Sequence, residues 1–365
     1  MKIGIITFHA AHNFGSMLQA YALQTFLSSK GHKVEIINYR SCQQKNLYFK
    51  PLFSKNAFKH PKFFIQSLTH PRQTIAMIEK WNCFEHFLSK HLNLTKEYRN
   101  LQELKEAKFN YDVIISGSDQ IWNNNPADFS EAYMIPFVDN CIKIAYAPSL
   151  GPVPQTTNLQ PYTEYLQKYK KISVRESISI PYVQKYTTNK VCNCIDPSLL
   201  IDMKEYMPLI NEQPINLGEY IFYYAPAKPH GSNETFELAI KLSKMTGLPL
   251  VTAKEEDDSN HNATKYISSG PCEFLNLIKN ATFVCGHSFH MVAFSLIFHK
   301  EFYTINATND SRTKDLLAKL EVDNRDVDSN NINSFERREL NYSVIAKKLD
   351  AVRKSSIDFL NFENI

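Results

Sequence analysis

A histidine at residue 290 stands at the start of an apolar stretch, directly after a polar turn. Residues 282–285 are apolar and β-prone, Gly286-His287-Ser288 interrupts them, and His290 opens a run of helical character. This order predicts a strand, a tight turn and a helix, whose first turn offers free N–H groups and the positive dipole end to an anion. An ordinary histidine at a helix start explains the spacing equally well.

Two arginines also follow predicted strands. Arg175 comes directly after the strand at 171–174, and Arg312 opens a helix. A guanidinium presents fixed donors that suit a carboxylate or a phosphate. Because ligands of open α/β sheets bind at the carboxyl ends of the strands, we expect Arg175, Arg312 and His290 to converge on one cleft. An ion pair between Arg175 and Glu176 is the competing interpretation.

A polar loop follows the buried strand at 112–115 and contains an aspartate and a tryptophan. Asp119 has the chemistry to accept a proton or to bind a hydroxyl group, and Trp122 has a flat face that stacks on a sugar. Alternatively, Ser118 and Asp119 cap the next turn and Trp122 fills the core.

The loop after the first strand contains Asn13 and Gly15. A dinucleotide-binding loop requires three glycines in the pattern G-x-G-x-x-G, and this loop has one, so the sequence does not support a nicotinamide cofactor. Gly15 permits a tight turn, and Asn13 and Gly15 could bring backbone N–H groups to a ligand. A plain turn without a ligand remains the alternative.

Predicted strands and helices alternate along most of the chain, which indicates an α/β fold with parallel sheets. We expect two Rossmann-like doubly wound domains facing a cleft. The first spans residues 1–205 with a helical excursion at 42–108, and the second spans 206–342. A helix at 343–365 is expected to pack back on the first domain.

Several local features are expected as well. Ser16 is the expected N-cap of the first helix, and residues 208–218 have the polar, irregular character of a linker. Short helices are expected at 63–68 and 75–88, and a solvated loop at 253–264.

The composition is that of a globular protein, with 43% hydrophobic and 21% charged residues among 365. A net charge of +4 does not indicate nucleic-acid binding, but it suits an anionic substrate or a loose contact with the inner membrane face. Seven irregularly spaced cysteines predict reduced thiols of a cytoplasmic protein, with neither disulfides nor a zinc site. The first residues have the pattern of a strand, and no apolar run is long enough to span a bilayer.

Several stretches together resemble the polysaccharide pyruvyl transferase family. They occur in that family's order between residues 3 and 330, and the ordered set is more specific than any one motif. The stretches are Asn13-Phe-Gly-Ser-Met-Leu-Gln-Ala-Tyr-Ala-Leu23, Ile115-Ser-Gly-Ser-Asp-Gln-Ile-Trp-Asn123, Ser173-Val-Arg-Glu176, Asp196-Pro-Ser-Leu-Leu200, Ser288-Phe-His290 and Ser311-Arg-Thr-Lys-Asp-Leu-Leu317.

The resemblance implies a glycosyltransferase-B-like architecture, with the acceptor bound by the first domain and the donor by the second. It implies transfer of a pyruvyl group from phosphoenolpyruvate to sugar hydroxyls, forming a ketal and releasing phosphate without a cofactor or metal. The family's donor-binding arginine corresponds to Arg175 and its key histidine to His290. We therefore expect catalytic roles for His290 and Asp119, donor contacts from Arg175, Arg312, Ser288 and His287, and acceptor contacts from Asn13, Gly15, Ser118, Gln120 and Trp122.

The chemistry of the residues agrees with this assignment. A histidine exchanges protons near neutral pH, so His290 could act as a general acid or as a phosphate ligand. Asp119 would orient or deprotonate an acceptor hydroxyl.

The chain departs from the family pattern in three places. Some members have arginine where Ser288 stands, lysine downstream where Arg312 is the nearest match, and Gly-Asp where this chain has Gly15-Ser16. The acceptor sugar, its hydroxyls and any lipid linkage therefore stay open. Two alternatives remain, a sugar-nucleotide-dependent glycosyltransferase of the same fold and a non-catalytic saccharide-binding protein of a polysaccharide assembly system.

Overall fold

The computed structural model describes residues 1–48, 69–212, 214–226, 234–253, 263–305, 310–328, 332 and 336–362. The expected helix at 63–68 and most of the expected loop at 253–264 lie outside these residues. Within the described part, the strands form two six-stranded sheets in which every strand is parallel to its neighbours.

The first sheet contains β1 (Lys2–Ile6), β2 (Lys33–Ile36), β3 (Val113–Ser116), β4 (Ile142–Ala145), β5 (Lys171–Val174) and β6 (Val191–Asn193). Its strand order is β2-β1-β3-β4-β5-β6. All four residues of β3 are buried, as expected for a parallel strand covered on both faces. The chain leaves β1 toward β2 and returns to β3 on the other side of β1, which creates a topological switch point.

The second sheet contains β7 (Ile221–Tyr224), β8 (Leu250–Thr252), β9 (Thr264–Lys265), β10 (Phe283–Gly286), β11 (Glu301–Ile305) and β12 (Asp326–Val327). Its order is β12-β11-β10-β7-β8-β9, which is the Rossmann order, with the switch point between β7 and β10. The prediction of two doubly wound domains is confirmed.

Helices cover both sheets. They are α1 (Phe14–Ser29), α2 (Cys42–Leu47), α3 (Pro71–His91), α4 (Leu101–Glu106), α5 (Thr163–Gln167), α6 (Ile180–Gln184), α7 (Met203–Glu212), α8 (Glu234–Thr246), α9 (Pro271–Asn280), α10 (Phe289–Ile297), α11 (Ser311–Leu320) and α12 (Tyr342–Phe359). The described part of the excursion at 42–108 contains α2, α3 and α4, as the prediction of a helical segment requires, and residues 92–100 between α3 and α4 are irregular. Helix α3 buries Phe84, Phe87 and Leu88 in the core. None of the helices in the described ranges has the length and apolar character that crossing a membrane requires.

Two local predictions are wrong. The expected linker at 208–218 begins inside α7, which contains Pro208 and buries Leu209 and Ile210. Burial of these side chains outweighs the hydrogen bond that the proline cannot make. The N-cap of α1 is Asn13 rather than Ser16, because the Asn13 side chain accepts from the N–H groups of Gly15 and Ser16.

The last helix, α12, contacts the first domain. The Ile195 N–H donates to Ser356 Oγ at 3.0 Å, and Lys171 Nζ donates to the Phe359 carbonyl at 3.3 Å. The division of the chain between residues 205 and 206 stays a prediction.

The two domains pack against each other through aromatic side chains. Phe14 of α1 stacks on Phe274 of α9, with ring centroids 4.5 Å apart and an interplanar angle of 12°. Phe84 of α3 lies on the Phe14 ring at 5.3 Å. One buried apolar cluster therefore extends from the first domain into the second and holds the strand ends of both sheets near each other.

Candidate active site

A cavity of about 310 Å³ lies between the two domains. Its walls come from the segments that follow β1 and β3 of the first sheet and β7, β10 and β11 of the second, so both switch points face it. From the first domain the lining residues are Phe8, Ala11, Asn13, Ser16, Tyr48, Asp119, Gln120, Pro126 and Asp128, and from the second Pro226, His287, Ser288, Phe289, His290, Asp310 and Arg312.

His290 lies in the first turn of α10, as predicted, and only 8% of its surface is exposed. Its Nε2 atom is 3.6 Å from Asp196 Oδ2, which is too long for a hydrogen bond, and it has no hydrogen-bond partner among the described residues. The other side of the ring faces Gly15, where a Cβ atom would lie 2.0 Å from Nδ1. A buried ring nitrogen without a partner is unfavourable unless a ligand or water meets it.

Arg175 lies just beyond β5 and is 3% exposed. Its Nη1 donates to Asp196 Oδ2 at 2.6 Å, and its Nε donates to Glu176 Oε1 at 3.2 Å. Its Nη2 is 3.9 Å from Asp119 Oδ1 and has no hydrogen-bond partner in the described ranges. The ring of Phe289 covers the guanidinium at 4.6 Å. The expected Arg175–Glu176 pair is therefore present, and one donor group of the arginine is left over.

Asp196 lies between these two residues. In the sequence it is only the first residue of the stretch 196–200, with no role expected for its side chain. Its carboxylate accepts from the Ser198 N–H at 2.9 Å, from the Ser198 hydroxyl at 2.7 Å and from the Ser118 hydroxyl at 3.3 Å. Burial alone would raise the pKa of Asp196, but His290 and Arg175 outweigh it and hold the pKa well below its ordinary value. Asp196 thus stays charged and lies next to both Arg175 and His290.

Asp119 lies in the loop after β3, with a left-handed backbone (φ +75°) that aspartate tolerates better than most residues. Its Oδ2 accepts a short hydrogen bond from the Ser16 hydroxyl, and its Oδ1 accepts from the Gln120 N–H at 2.9 Å. It lines the cavity, so the carboxylate can reach a bound hydroxyl group.

Arg312 also lines the cavity, at the start of α11. Its Nε and Nη2 atoms donate to the two oxygens of Asp310 at 2.7 and 2.8 Å. Burial alone would raise the pKa of Asp310, but Arg312 lowers it to about 2. The arginine is therefore held by a carboxylate rather than free, and its Nη1 lies on the edge opposite to Asp310.

His287 and Ser288 lie between β10 and α10, at the cavity wall. His287 Nδ1 is 3.0 Å from the Ile305 carbonyl, so Nδ1 carries a proton and Nε2 is available to a ligand. Ser288 caps α10, since its hydroxyl accepts from the Met291 N–H at 3.4 Å. Ser288 therefore orients the helix that carries His290.

The residues expected on the acceptor side separate into two groups. Asn13 and Gln120 line the cavity, whereas Gly15 makes room for the ring of His290. The expectation that Gly15 offers its N–H to a ligand is wrong, because that N–H donates to Asn13 Oδ1 at 2.9 Å.

Ser118 and Trp122 lie in the core instead of at the cavity, which corrects the expectation of acceptor contacts from both. The Ser118 hydroxyl donates to the Ala147 carbonyl at 2.8 Å, and the Trp122 indole donates to Ser116 Oγ at 3.1 Å. Both side chains are fully buried, so neither can reach a sugar.

Several residues of the site besides Asp196 are not predicted from the sequence. Glu176 is expected only as a partner of Arg175, and Phe289 stands in a predicted helix without an expected role. Tyr48 and Asp128 carry no signal, because they come from separate segments without a motif. A carboxylate three residues beyond the end of β6 is a usable signal for Asp196.

The arrangement combines acidic and basic groups around a partly buried cavity. Three carboxylates, two histidines and an arginine line it, and the first N–H groups of α10 have no intrahelical acceptor. Such a site can hold an anion, exchange a proton at a histidine and orient a hydroxyl group at Asp119. The described residues around the cavity form no group of three side chains placed to ligate a metal.

Comparison with solved structures identifies the fold. UDP-GlcNAc 2-epimerase from Methanocaldococcus jannaschii is similar with a TM-score of 0.52 and 11% sequence identity, over 96% of this chain and 92% of that chain. UDP-GlcNAc 2-epimerase from Neisseria meningitidis bound to UDP-GlcNAc is similar with a TM-score of 0.50 and 11% identity, over 100% and 95% of the two chains. Both likenesses concern the fold, and they confirm the glycosyltransferase-B-like architecture of two Rossmann-like domains.

Comparison at the level of sequence identifies the family. No curated protein matches the chain significantly. The family model described as Polysaccharide pyruvyl transferase matches residues 13–309, a span that includes β2 to β11 and every residue named at the cavity except Phe8, Ala11, Asp310 and Arg312. Since this match covers most of the sequence, the chain belongs to the polysaccharide pyruvyl transferase family.

Proposed function

We propose that this protein transfers a pyruvyl group from phosphoenolpyruvate to two hydroxyls of one sugar in a cell-surface polysaccharide or its precursor. The observation that carries the proposal is a pair of buried atoms that lack hydrogen-bond partners among the described residues. They are His290 Nε2 at the cavity wall and Arg175 Nη2, which lies 3.9 Å from Oδ1 of the cavity residue Asp119. A proton-transferring histidine and an anion-binding arginine are the two groups that this reaction requires.

The reaction requires one proton delivered to the methylene carbon of the donor. Protonation creates an oxocarbenium-like centre at the adjacent carbon, to which one sugar hydroxyl adds. Phosphate then leaves and the second hydroxyl closes the ketal. The two hydroxyls lose two protons, of which one replaces the proton given to carbon and the other leaves with phosphate. His290 is the group that we assign to the proton delivery.

The donor is an anion with a carboxylate and a phosphate. The unpaired Nη2 of Arg175, the Nη1 edge of Arg312 and the N–H groups at the start of α10 supply donors for it. His287 Nε2 adds a further group at the same wall. Both arginines already form ion pairs with carboxylates. The donor would therefore bind by replacing part of these ion pairs, since neither arginine is free of a carboxylate partner.

The acceptor would lie on the first-domain side of the cavity. Asp119, with Ser16 and Gln120 fixed to it, is the group placed to orient or deprotonate a hydroxyl. The lipid linkage of the acceptor, a contact with the inner membrane face and the cytoplasmic location stay predictions.

Release of phosphate from phosphoenolpyruvate with a panel of saccharide acceptors tests the proposal, with the ketal identified by mass and NMR. We expect His290→Gln to lower turnover by about 10²–10⁴-fold, the range of general acid–base catalysis. His299→Gln, an exposed histidine just beyond the other end of the same helix, is the matched control and should keep normal turnover. Full activity in His290→Gln would remove the catalytic assignment.

The same preparation distinguishes the alternatives. Release of a nucleotide from a sugar nucleotide, without turnover of phosphoenolpyruvate, would identify a glycosyltransferase. Saccharide binding without turnover of either donor would identify a binding protein. Either result would overturn the proposed function.

A further inference from the structure

A second cluster of reactive side chains lies outside the cavity, where α3 of the helical excursion meets α7 and α9. It consists of His91 at the end of α3, Glu212 at the end of α7 and Cys272 in the first turn of α9. One potential ligand atom from each residue lies within 4.8 Å of the other two. None of these residues has a part in the proposed reaction.

The distances between the three atoms suit a common metal ion. His91 Nε2 is 2.8 Å from Glu212 Oε2, and Cys272 Sγ is 3.8 Å from the same oxygen. A zinc ion holds nitrogen, oxygen and sulfur ligands at about 2.0–2.3 Å in a tetrahedron, which places neighbouring ligand atoms roughly 3.3–3.8 Å apart. Small side-chain rotations would bring the three atoms to these positions.

We propose that His91, Glu212 and Cys272 bind one divalent transition-metal ion of the zinc type. His86, whose Nε2 lies 3.6 Å from Glu212 Oε1 but outside this group of three atoms, would rotate toward the ion to become the fourth ligand. The set of two imidazoles, a thiolate and a carboxylate matches the ligand types of zinc sites.

The charges of the site agree with this occupant. The ion carries two positive charges, and Glu212 with the thiolate of Cys272 supplies two negative ones, so the half-buried site becomes neutral. The thiol proton of Cys272 passes to bulk water when the metal binds. Reduced cysteines favour the site as well, since all seven cysteines are free thiols.

Lys90 is the competitor of the metal, because its Nζ also contacts Glu212 Oε1. Half of its side chain is exposed, so the ammonium group can move into solvent when the ion arrives. A plain ion-pair cluster of Lys90, the two histidines and Glu212 is thus the arrangement that the experiment must distinguish from a metal site.

A bound ion would join three distant parts of the chain at one point. It would fix the end of α3, the helix whose Glu85 accepts from His12 at 2.7 Å and from Arg40. His12 directly precedes Asn13, the N-cap of α1. The site is therefore structural in character and independent of the proposed transfer reaction.

The test uses the purified full-length chain and titrates it with Zn²⁺ and with Co²⁺, in the absence of substrate. We expect one ion per chain, and for Co²⁺ the charge-transfer absorption of a thiolate ligand. Cys272→Ser and His91→Gln should each weaken binding at least tenfold, and Cys272→Ser should abolish the thiolate absorption. Thermal unfolding of each metal-free variant shows that it is folded.

Cys141→Ser, which changes a partly buried thiol just before β4 of the first sheet, is the matched control and should bind the ion as the wild type does. His86→Gln should weaken binding as well, as expected of the fourth ligand. Absence of stoichiometric binding, unchanged affinity in folded Cys272→Ser, or an equal loss in Cys141→Ser would overturn the proposal.

Discussion

Gly15 lies directly against the imidazole of His290, so closely that a Cβ atom at residue 15 would be 2.0 Å from Nδ1 and 2.2 Å from Cγ. Gly15 belongs to the first helix of the first domain, and His290 to the helix after β10 of the second. The two switch-point helices therefore meet at a contact that only a residue without a side chain permits.

Gly15→Ala should displace His290 and remove turnover while the protein stays folded. Contacts under 3.0 Å cannot be tolerated, so either the imidazole or the helix has to move. Turnover with phosphoenolpyruvate measures the loss of activity, and the thermal unfolding curve shows whether the protein stays folded.

Gly31→Ala is the control, because Gly31 follows the other end of the same helix and no atom lies near the Cβ that the variant adds. Its backbone is left-handed (φ +81°), so that variant should lose about 1 kcal/mol of stability but no activity. Normal turnover in Gly15→Ala would contradict the role of the contact.

Asp196→Asn should destabilise the protein by about 3 kcal/mol, the low end of the range for breaking a buried ion pair. The carboxylate is fully buried and accepts from Arg175 Nη1 at 2.6 Å, so the variant leaves part of a buried charge unpaired. We also expect a higher KM for phosphoenolpyruvate, because Arg175 loses the partner that fixes its orientation. Urea unfolding and donor titration measure these effects, with Asp202→Asn on the surface as the control. An unchanged free energy of unfolding would show that Asp196 does not hold the arginine.

Acid should destabilise the fold through carboxylates whose pKa is lowered in the native state. Asp310 and Glu85 both have a pKa of about 2, which is below their ordinary values. Burial alone would raise both pKa values, but Arg312 lowers that of Asp310, and His12 with Arg40 lowers that of Glu85. A carboxylate whose pKa is lower in the folded than in the unfolded protein stabilises the fold at every pH above its unfolded-state pKa. This stabilisation is lost as the pH falls toward the folded-state pKa, so the loss should occur between about pH 4.5 and pH 2.

Asp310→Asn isolates one of these groups. It keeps an oxygen that can cap α11 but removes the charge, so the variant should be less stable than the wild type near neutral pH by about 2 kcal/mol. The difference should shrink as the pH approaches 2. Urea unfolding at several pH values measures it, and a difference that is the same at every pH would contradict the assignment.

Trp122→Phe should lower stability by about 1–3 kcal/mol without changing the KM of a saccharide acceptor. The indole is fully buried, packs edge-on against Tyr169 at 5.8 Å and donates to Ser116 Oγ. The change therefore leaves a small void and removes one buried hydrogen bond, while the Ser116 hydroxyl keeps its bond to the Tyr133 carbonyl. Gln120→Ala, two residues earlier and at the cavity wall, is the paired variant and should raise that KM instead. A higher acceptor KM in Trp122→Phe, together with an unchanged KM in Gln120→Ala, would show that Trp122 contacts the acceptor.

The sequence by itself determined the elements and their class. The short runs at 112–115 and 282–285 are largely apolar and β-prone, which indicates parallel strands buried on both faces. Their alternation with segments of helical periodicity indicates two doubly wound domains. Polar residues at strand ends identified His290, Arg312 and Asp119, because parallel strands bring their carboxyl ends to one edge.

Only the tertiary structure decided what each side chain contacts. Trp122 and Asp119 are three residues apart in one polar loop, yet the first fills the core and the second lines the cavity. The pairing of Arg175 with Asp196, the contact of Gly15 with His290 and the cluster of His91, Glu212 and Cys272 join residues from distant segments. Spacing along a chain carries no information about such contacts, since they depend on how the two domains and the helical excursion pack.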